Sequence, residues 1–262
     1  MTMAVIITAL LNCLNPISLF PARKLMKCVN HPDYISLSFA SPQQCLSSAV
    51  LNGGYQEVRS LLNLKVDQYA KPPFAPPAQT LNHKARELAL QQPVLGMMTA
   101  ASMKSLRHRQ IEVQTYCASV WVTCGLSNLL RPGDPVEPVP QTPPEPGTIN
   151  IWLHCSHPLT PAAMAEALIL LTEAKTTAVR DYQLKSRESG RDASGTGTDS
   201  HAVLCPGNLP AVTPLEYCGK HTHMGEAIGL AVYQAVSESI QACLDAGYQS
   251  PSYSETTPES PA

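Results

Sequence analysis

Thr148-Ile149-Asn150-Ile151-Trp152-Leu153-His154 is followed, after a short turn, by Thr160-Pro161-Ala162-Ala163-Met164, and this pair of segments decides the fold class. In the first, Ile149, Ile151 and Leu153 fall on one side of the chain, the period of two of a strand with an apolar face. In the second, Thr160 suits an N-cap, and Pro161 suits the first helical position, where no amide hydrogen is needed. Met164, Leu168, Leu171, Ala174 and Ala178 then recur along one stripe, which predicts a helix ending near Tyr182.

Working outward, Tyr34 to Phe39 and Ala118 to Thr123 read as strands, and Ala202 to Cys205 as a short apolar strand. A second long helix is expected from Thr222 or Met224 to about Leu244, on the stripe Ile228, Ala231, Val232, Ala235, Ile240 and Cys243. A weaker helix spans Asn82 to Gln91. Strands and helices are interspersed, so the expectation is an α/β fold, a single layered domain with a mixed β-sheet flanked by helices. Two proline clusters punctuate it: Lys71 to Pro77 with four prolines and Arg131 to Gly147 with seven. Proline at that density blocks helices and ladders, so both are read as exposed loops, the second inside the domain. The domain is placed at residues 1–248. The Ser/Pro/Thr/Glu-rich tail 249–262 reads as disordered. Met1 to Leu19 holds the apolar run Ala4 to Leu11, with no basic residue ahead of it and too little length for a bilayer. It is read as the first strand or helix of the domain.

Composition narrows the function. Hydrophobic residues make up 44 % of 262, enough for a core, but aromatics only 5 %, so that core is aliphatic. A net charge of -2 without a basic stripe argues against a nucleic-acid partner, and no segment argues for a membrane. Nine cysteines, an odd number with no C-x-x-C pair, fit neither a disulfide scaffold nor a cysteine-rich zinc site. They read as reduced, mostly buried small hydrophobes in a cytoplasmic protein.

Three polar segments stand out. Ser47-Ser48-Ala49-Val50-Leu51-Asn52-Gly53-Gly54 is either a tight turn or a place where Gly53 and Gly54 admit a ligand close to the backbone, with Asn52 hydrogen-bonding on two sides. Gly195-Thr196-Gly197-Thr198-Asp199 offers hydroxyls and free amides before a strand. It lacks the Lys-Ser/Thr pair of a phosphate loop, which speaks against a nucleotide-binding protein. Asp199 is either a general base or a turn carboxylate capping local N–H groups. The densest segment is Glu216-Tyr217-Cys218-Gly219-Lys220-His221-Thr222-His223-Met224-Gly225-Glu226, at a helix start whose free N–H groups suit an oxyanion. His221 is of the residue type most used as a general base. His154/His157 and His221/His223 with Asp199 are of types that bind zinc, but no H-E-x-x-H occurs and no metal or cofactor is assigned.

Taken together the segments resemble the adenosylcobinamide amidohydrolase family. The resemblance runs in order from about Leu46 to Ala235. Besides the first two polar segments it is carried by Gly96-Met97-Met98-Thr99-Ala100-Ala101, Gly125-Leu126-Ser127-Asn128, Gly133-Asp134 and Gly147-Thr148-Ile149-Asn150-Ile151. Thr172-Glu173-Ala174-Lys175-Thr176, Gly219-Lys220-His221-Thr222 and Gly225-Glu226 complete it. Cys218, where alanine is more usual, and His223, where lysine is common, depart from the family pattern. The resemblance implies hydrolysis of the amide between aminopropanol and the corrin ring, giving adenosylcobyric acid and 1-amino-2-propanol for cobalamin salvage.

Amide hydrolysis needs an activated nucleophile and a stabilised oxyanion. A base supplies roughly 10²–10⁴-fold. One oxyanion donor is worth about 2.7–4 kcal/mol. The expected assignment makes His221 or Asp199 the base, Lys220 an oxyanion donor, and Glu226 the group that orients His221. Asn52, Gly53, Gly54, Asn128, Glu173, Lys175, Thr196, Thr198 and Thr222 would bind substrate. A covalent route through Ser48 or Thr198 is open. The rival is a corrinoid-binding protein without catalysis, but the pattern D-x-H-x-x-G is only half present, as Asp199-Ser200-His201 with Leu204 in place of glycine.

Overall fold

The computed structural model describes residues 26–67, 73–136, 147–207, 209 and 212–248. The element expected in Met1 to Leu19, the tail 249–262 and most of the second proline cluster lie outside these residues. In chain order the elements are β1 (Met26–His31), β2 (Tyr34–Ser47), β3 (Gly54–Lys65), α1 (Pro77–Glu87), β4 (Val94–Thr99), β5 (Arg107–Val113), β6 (Tyr116–Cys124) and β7 (Leu129–Leu130). There follow β8 (Ile149–Cys155), α2 (Pro161–Asp181), β9 (Gly195–Thr196), β10 (Ser200–Pro206) and α3 (His223–Asp245).

The large sheet runs β4-β3-β2-β10-β8-β6-β5, and β1 lies on β2. It is mixed: β8 with β10 and β3 with β4 are parallel, the other neighbours antiparallel. β1 pairs with Tyr34 to Phe39 of β2, and β10 with Gln43 to Ser47. Between those halves the β2–β3 register shifts, and Pro42, which donates no ladder hydrogen bond, sits in that interval. There the sheet bends over its own face. Ile35, Leu37, Leu61, Leu95 and Met97 from one half pack with Trp121, Trp152, Ala202 and Leu204 from the other. Asn63 of β3 donates to Thr123 Oγ1 of β6 (2.8 Å) and accepts from Asn150 Nδ2 of β8 (2.9 Å), tying two strands that are not sheet neighbours.

The expected face of β8 decides the outer layers. Ile149, Ile151, Leu153 and Cys155 pack with Met164, Ala167, Leu171 and Ala178 of α2 and with Ile228, Ala231, Val232 and Ala235 of α3. On the far side α1 covers β3 and β4 through Leu81 and Ala85. The order of layers is therefore helix, half-sheet, half-sheet, helix pair.

Both long helices start as expected. Thr160 Oγ1 accepts from Ala163 N (3.2 Å) and Thr222 Oγ1 from Gly225 N (2.9 Å). The weaker helix is shifted: it spans Pro77–Glu87, because Pro77 pre-sets the first helical φ and Leu81 and Ala85 supply the buried face. The loop from Lys185 to Gly197 includes β9, which pairs with β7. Of the cysteines, Cys45, Cys124, Cys155, Cys205 and Cys218 are buried free thiols. Burial pushes Cys45 and Cys218 up to about 12.

Candidate active site at the sheet end around Lys175 and Asp199

The N-terminal ends of the parallel strands β8 and β10 meet the C-terminal ends of β6 and β2 at one edge of the sheet. Topology thus brings together Thr148, Thr198, Asp199, Ser200, Ser47 and Ser48. Asp199 is the anchor of this edge. Its Oδ1 accepts from Ile149 N (3.0 Å), Thr196 N (3.1 Å) and the Thr196 hydroxyl, and its Oδ2 from Lys175 Nζ (2.6 Å). Lys175 reaches down from the sheet-facing side of α2. The two side chains are only 7 % and 9 % exposed, so this is a buried ion pair. Gly195 leaves room for it: a Cβ there would collide with Asp199 Oδ2 and lie 2.5 Å from Lys175 Nζ.

Hydroxyls open this edge to solvent. Thr198 is exposed; its Oγ1 donates to Gly147 O (3.1 Å) and lies 2.7 Å from Thr148 Oγ1. Ser48 is also exposed; its Oγ accepts from His201 N (3.1 Å) and lies 3.5 Å from Ser200 Oγ. Asn128 accepts from Gly197 N through its backbone oxygen (3.1 Å), and a Cβ at Gly197 would fall 2.9 Å from Asn128 Nδ2. Behind them His201 is buried, and burial, with the neighbouring Lys175 ammonium, pulls its pKa down to about 4.

Lys175, Asp199, Thr196, Thr198 and Asn128 are therefore assembled in one place. The Asn52 turn stands at the same end of β2 and β3 but is occupied with its own geometry. Asn52 adopts φ 56° and donates from Nδ2 to Val94 O (2.7 Å). A Cβ at Gly53 would collide with Ala49 O, and Gly54 adopts φ 87°. Both glycines serve the tight turn that carries β2 into β3.

A second group lies elsewhere. Lys220 Nζ pairs with Glu173 Oε2 at 2.5 Å, with both side chains largely exposed. Glu173 and Lys175 stand two positions apart on α2, about 200° around its axis. Lys175 thus faces the sheet while Glu173 faces solvent, and His221, Lys220 and Thr222 gather on the outer side. His221 is exposed beside Gly219, its ring 6.3 Å from that of Tyr217. Thr222 is the α3 N-cap and also donates to Gly219 O (2.9 Å). Glu226 does not pair with His221 as expected. Its carboxylate lies 3.9 Å from His223 Nδ1, because helical i,i+3 spacing joins 223 to 226 while His221 precedes the N-cap.

Sequence reasoning passed over His201, Ser200, Thr148 and Gly147 as site residues. The signal for His201 was available: at i and i+2 of an extended segment, Asp199 and His201 point to the same side of the sheet. The histidines of the candidate zinc set are otherwise engaged. His154 Nε2 meets Gln43 Oε1 (3.1 Å) with its ring stacked on Phe39, and burial pulls its pKa down to about 4. His157 Nδ1 lies 3.0 Å from Ser156 Oγ. Among the described residues no group of three or more His, Cys, Asp or Glu side chains is placed to hold a metal ion. Among the described residues no helix is long and apolar enough to cross a membrane.

The molecule is thus a four-layered α/β protein with a hydroxyl-lined edge built over a buried Lys–Asp pair. Residues 18–247 match the family described as adenosylcobinamide amidohydrolase, and the chain belongs to that family of hydrolases. The adenosylcobinamide amidohydrolase of Methanosarcina mazei is 28 % identical over 200 residues, covering 74 % of this chain and 88 % of its own. An uncharacterized protein of Methanocaldococcus jannaschii is 40 % identical over 97 residues, 37 % of this chain; the match spans 36 % of that relative's length. Among solved structures, a Burkholderia sp. beta-aminopeptidase aligns over 83 % of this chain and 80 % of its own, with 15 % identity and a TM-score of 0.43. The PH0078 protein of Pyrococcus horikoshii OT3 aligns over 83 % and 78 %, with 10 % identity and a TM-score of 0.39.

Proposed function

We propose that this protein hydrolyses the amide joining aminopropanol to the corrin ring of adenosylcobinamide, releasing adenosylcobyric acid and 1-amino-2-propanol for cobalamin salvage. The observation that carries this reading is the family match from residue 18 to residue 247. The sheet edge supports it chemically. The substrate is rimmed with neutral carboxamides, and the edge offers neutral partners at Ser48, Thr148, Thr198 and Asn128 rather than a field of charges.

We place the reaction at this edge. Thr198 and Ser48 are its exposed hydroxyls and the candidate nucleophiles. Attack by either oxygen on the amide carbon gives an ester to the enzyme and frees the amine, which takes up the hydroxyl proton; water then cleaves the ester. Lys175 supplies positive charge for the oxyanion. Asp199 holds Lys175 in place, since both of its oxygens are already engaged. His221, Lys220 and Glu173 stand on the outer side of α2, Glu226 pairs with His223 at the start of α3, and none of them takes part in bond cleavage on this reading.

The test is incubation of the protein with adenosylcobinamide, followed by chromatography and mass spectrometry of the corrinoids and of released aminopropanol. Wild type yields both products; Thr198→Ala or Ser48→Ala abolishes turnover, while His221→Ala retains it. Tight binding with no product would leave a corrinoid-binding protein instead. Loss of turnover in His221→Ala alone would move the chemistry to the outer helical face.

A further inference from the structure

His201 is a buried side chain at this edge whose ring nitrogen Nε2 no protein group among the described residues satisfies. It is 8 % exposed, and its Nε2 has no hydrogen-bond partner among the described residues. The backbone around it is locked: its N donates to Ser48 Oγ (3.1 Å), and its O accepts from Ser47 Oγ (2.8 Å) and Ser48 N (3.1 Å). The next residues on the same side of β10, Val203 and Cys205, are apolar and fully buried. An unpaired buried polar atom costs about 1–3 kcal/mol. A merely structural position would take leucine or methionine.

What the ring faces explains the choice. Lys175 and Asp199 are the charged groups acting on it. The Lys175 ammonium carries three donors, and one is used, on Asp199 Oδ2. Its other two N–H groups have no partner among the described residues. The imidazole Nε2 and two of the three Lys175 donors are thus left unpaired in neighbouring side chains at this edge.

We propose that His201 is a further catalytic residue, its Nε2–H and the free N–H groups of Lys175 together forming the oxyanion subsite for the amide carbonyl. The inference rests on the functional reading above. In the step concerned, the nucleophile's oxygen bonds to the carbonyl carbon and the C=O π pair moves onto oxygen, which accepts from both donors. The C–N bond breaks as the carbonyl re-forms, and the nucleophile's proton ends on the departing nitrogen. A pKa near 4 suits the role, because the ring stays neutral and donates without adding a second cation.

Stability and activity separate this role from a structural one. Replacing His201 by Leu removes an unpaired polar atom, so the melting temperature holds or rises. Its kcat falls by about 10²-fold or more, the effect of losing one oxyanion donor, and KM changes little. His201→Gln, whose Nε2 reaches a similar point, recovers at least about tenfold of that loss, whereas His201→Asn, with a shorter reach, does not. If His201→Leu turns over within about threefold of wild type, the inference is wrong. Should that variant fail to fold, equal activity of the Gln and Asn variants, high or low, overturns it as well. Wild type inactive on adenosylcobinamide sinks the functional reading and this inference together; wild type and His201→Leu equally active sink only the inference.

Discussion

Removing the Asp199 carboxylate is the perturbation whose outcome is best constrained. Asp199→Ala deletes the acceptor for Ile149 N, Thr196 N, the Thr196 hydroxyl and Lys175 Nζ in one step. It also strands an ammonium whose side chain is 7 % exposed. Breaking a buried pair by removing one partner costs about 3–5 kcal/mol. For a domain of this size that is a fall of about 6–20 °C in melting temperature. Lys175→Met combined with Asp199→Leu leaves no stranded charge, so the double variant is more stable than Asp199→Ala, although the orphaned N–H groups of Ile149 and Thr196 keep it below wild type. Urea denaturation followed by circular dichroism gives the three free energies. If Asp199→Ala lies within about 1 kcal/mol of wild type, or the double variant is no more stable than the single one, Asp199 is not an anchor. A carboxylate serving only as a base would show the reverse: lost turnover in Asp199→Asn with the fold intact.

Three further outcomes follow from the same geometry. Gly195→Ala pushes a methyl into the Lys175–Asp199 pair and lowers kcat at least about tenfold, read with adenosylcobinamide as substrate. Lys220→Ala breaks an exposed pair, 72 % and 48 % exposed, and shifts the unfolding free energy by no more than about 1 kcal/mol. The fold loses stability as pH falls from about 6.5 to about 4. His154 and His201 stay neutral when buried but take up a proton when unfolded, so acid favours the unfolded chain by up to about 3 kcal/mol for each; a melting temperature flat across that range would contradict it.

The layers were readable because their signals are local. Thr160-Pro161 announces a helix start regardless of context, and the alternation in β8 holds because one side meets helices and the other the folded-over half-sheet. β3 and β4 escaped notice because they are buried on both sides: Leu61, Leu62 and Leu64 give no alternation to read. β5 escaped for the opposite reason, since its exposed charges guard a sheet edge and dilute its pattern. The bend in β2 depends on a shift against β3 that no single segment reveals. The site was legible as a set of strings and not as a place. Nothing in residue order says which strings meet.

The string Thr172-Glu173-Ala174-Lys175-Thr176 shows why. Ala174 packs in the core, Thr172 Oγ1 donates back to Leu168 O (2.9 Å), and Thr176 Oγ1 donates to Ser194 O (3.2 Å). Lys175 enters the buried pair, and Glu173 meets Lys220 on the outside. Five consecutive residues thus serve the core, the helix, the loop before β9, the inner edge and the outer surface. A helix turns each of them about 100° from the last, so adjacency in sequence guarantees separation in space. The grouping of Lys220, His221 and Glu226 with Asp199 treated such strings as single patches. The folded chain sets Asp199 against the inner side of α2 and Lys220 on its outer side, and a division of that kind is open to measurement. Substitutions on the inner side should lower stability and turnover together at Asp199, and turnover alone at Thr198. Those on the outer side should lower neither. Equal losses on both sides would mean that the substrate wraps around the helix and that the reaction centre is larger than the sheet edge.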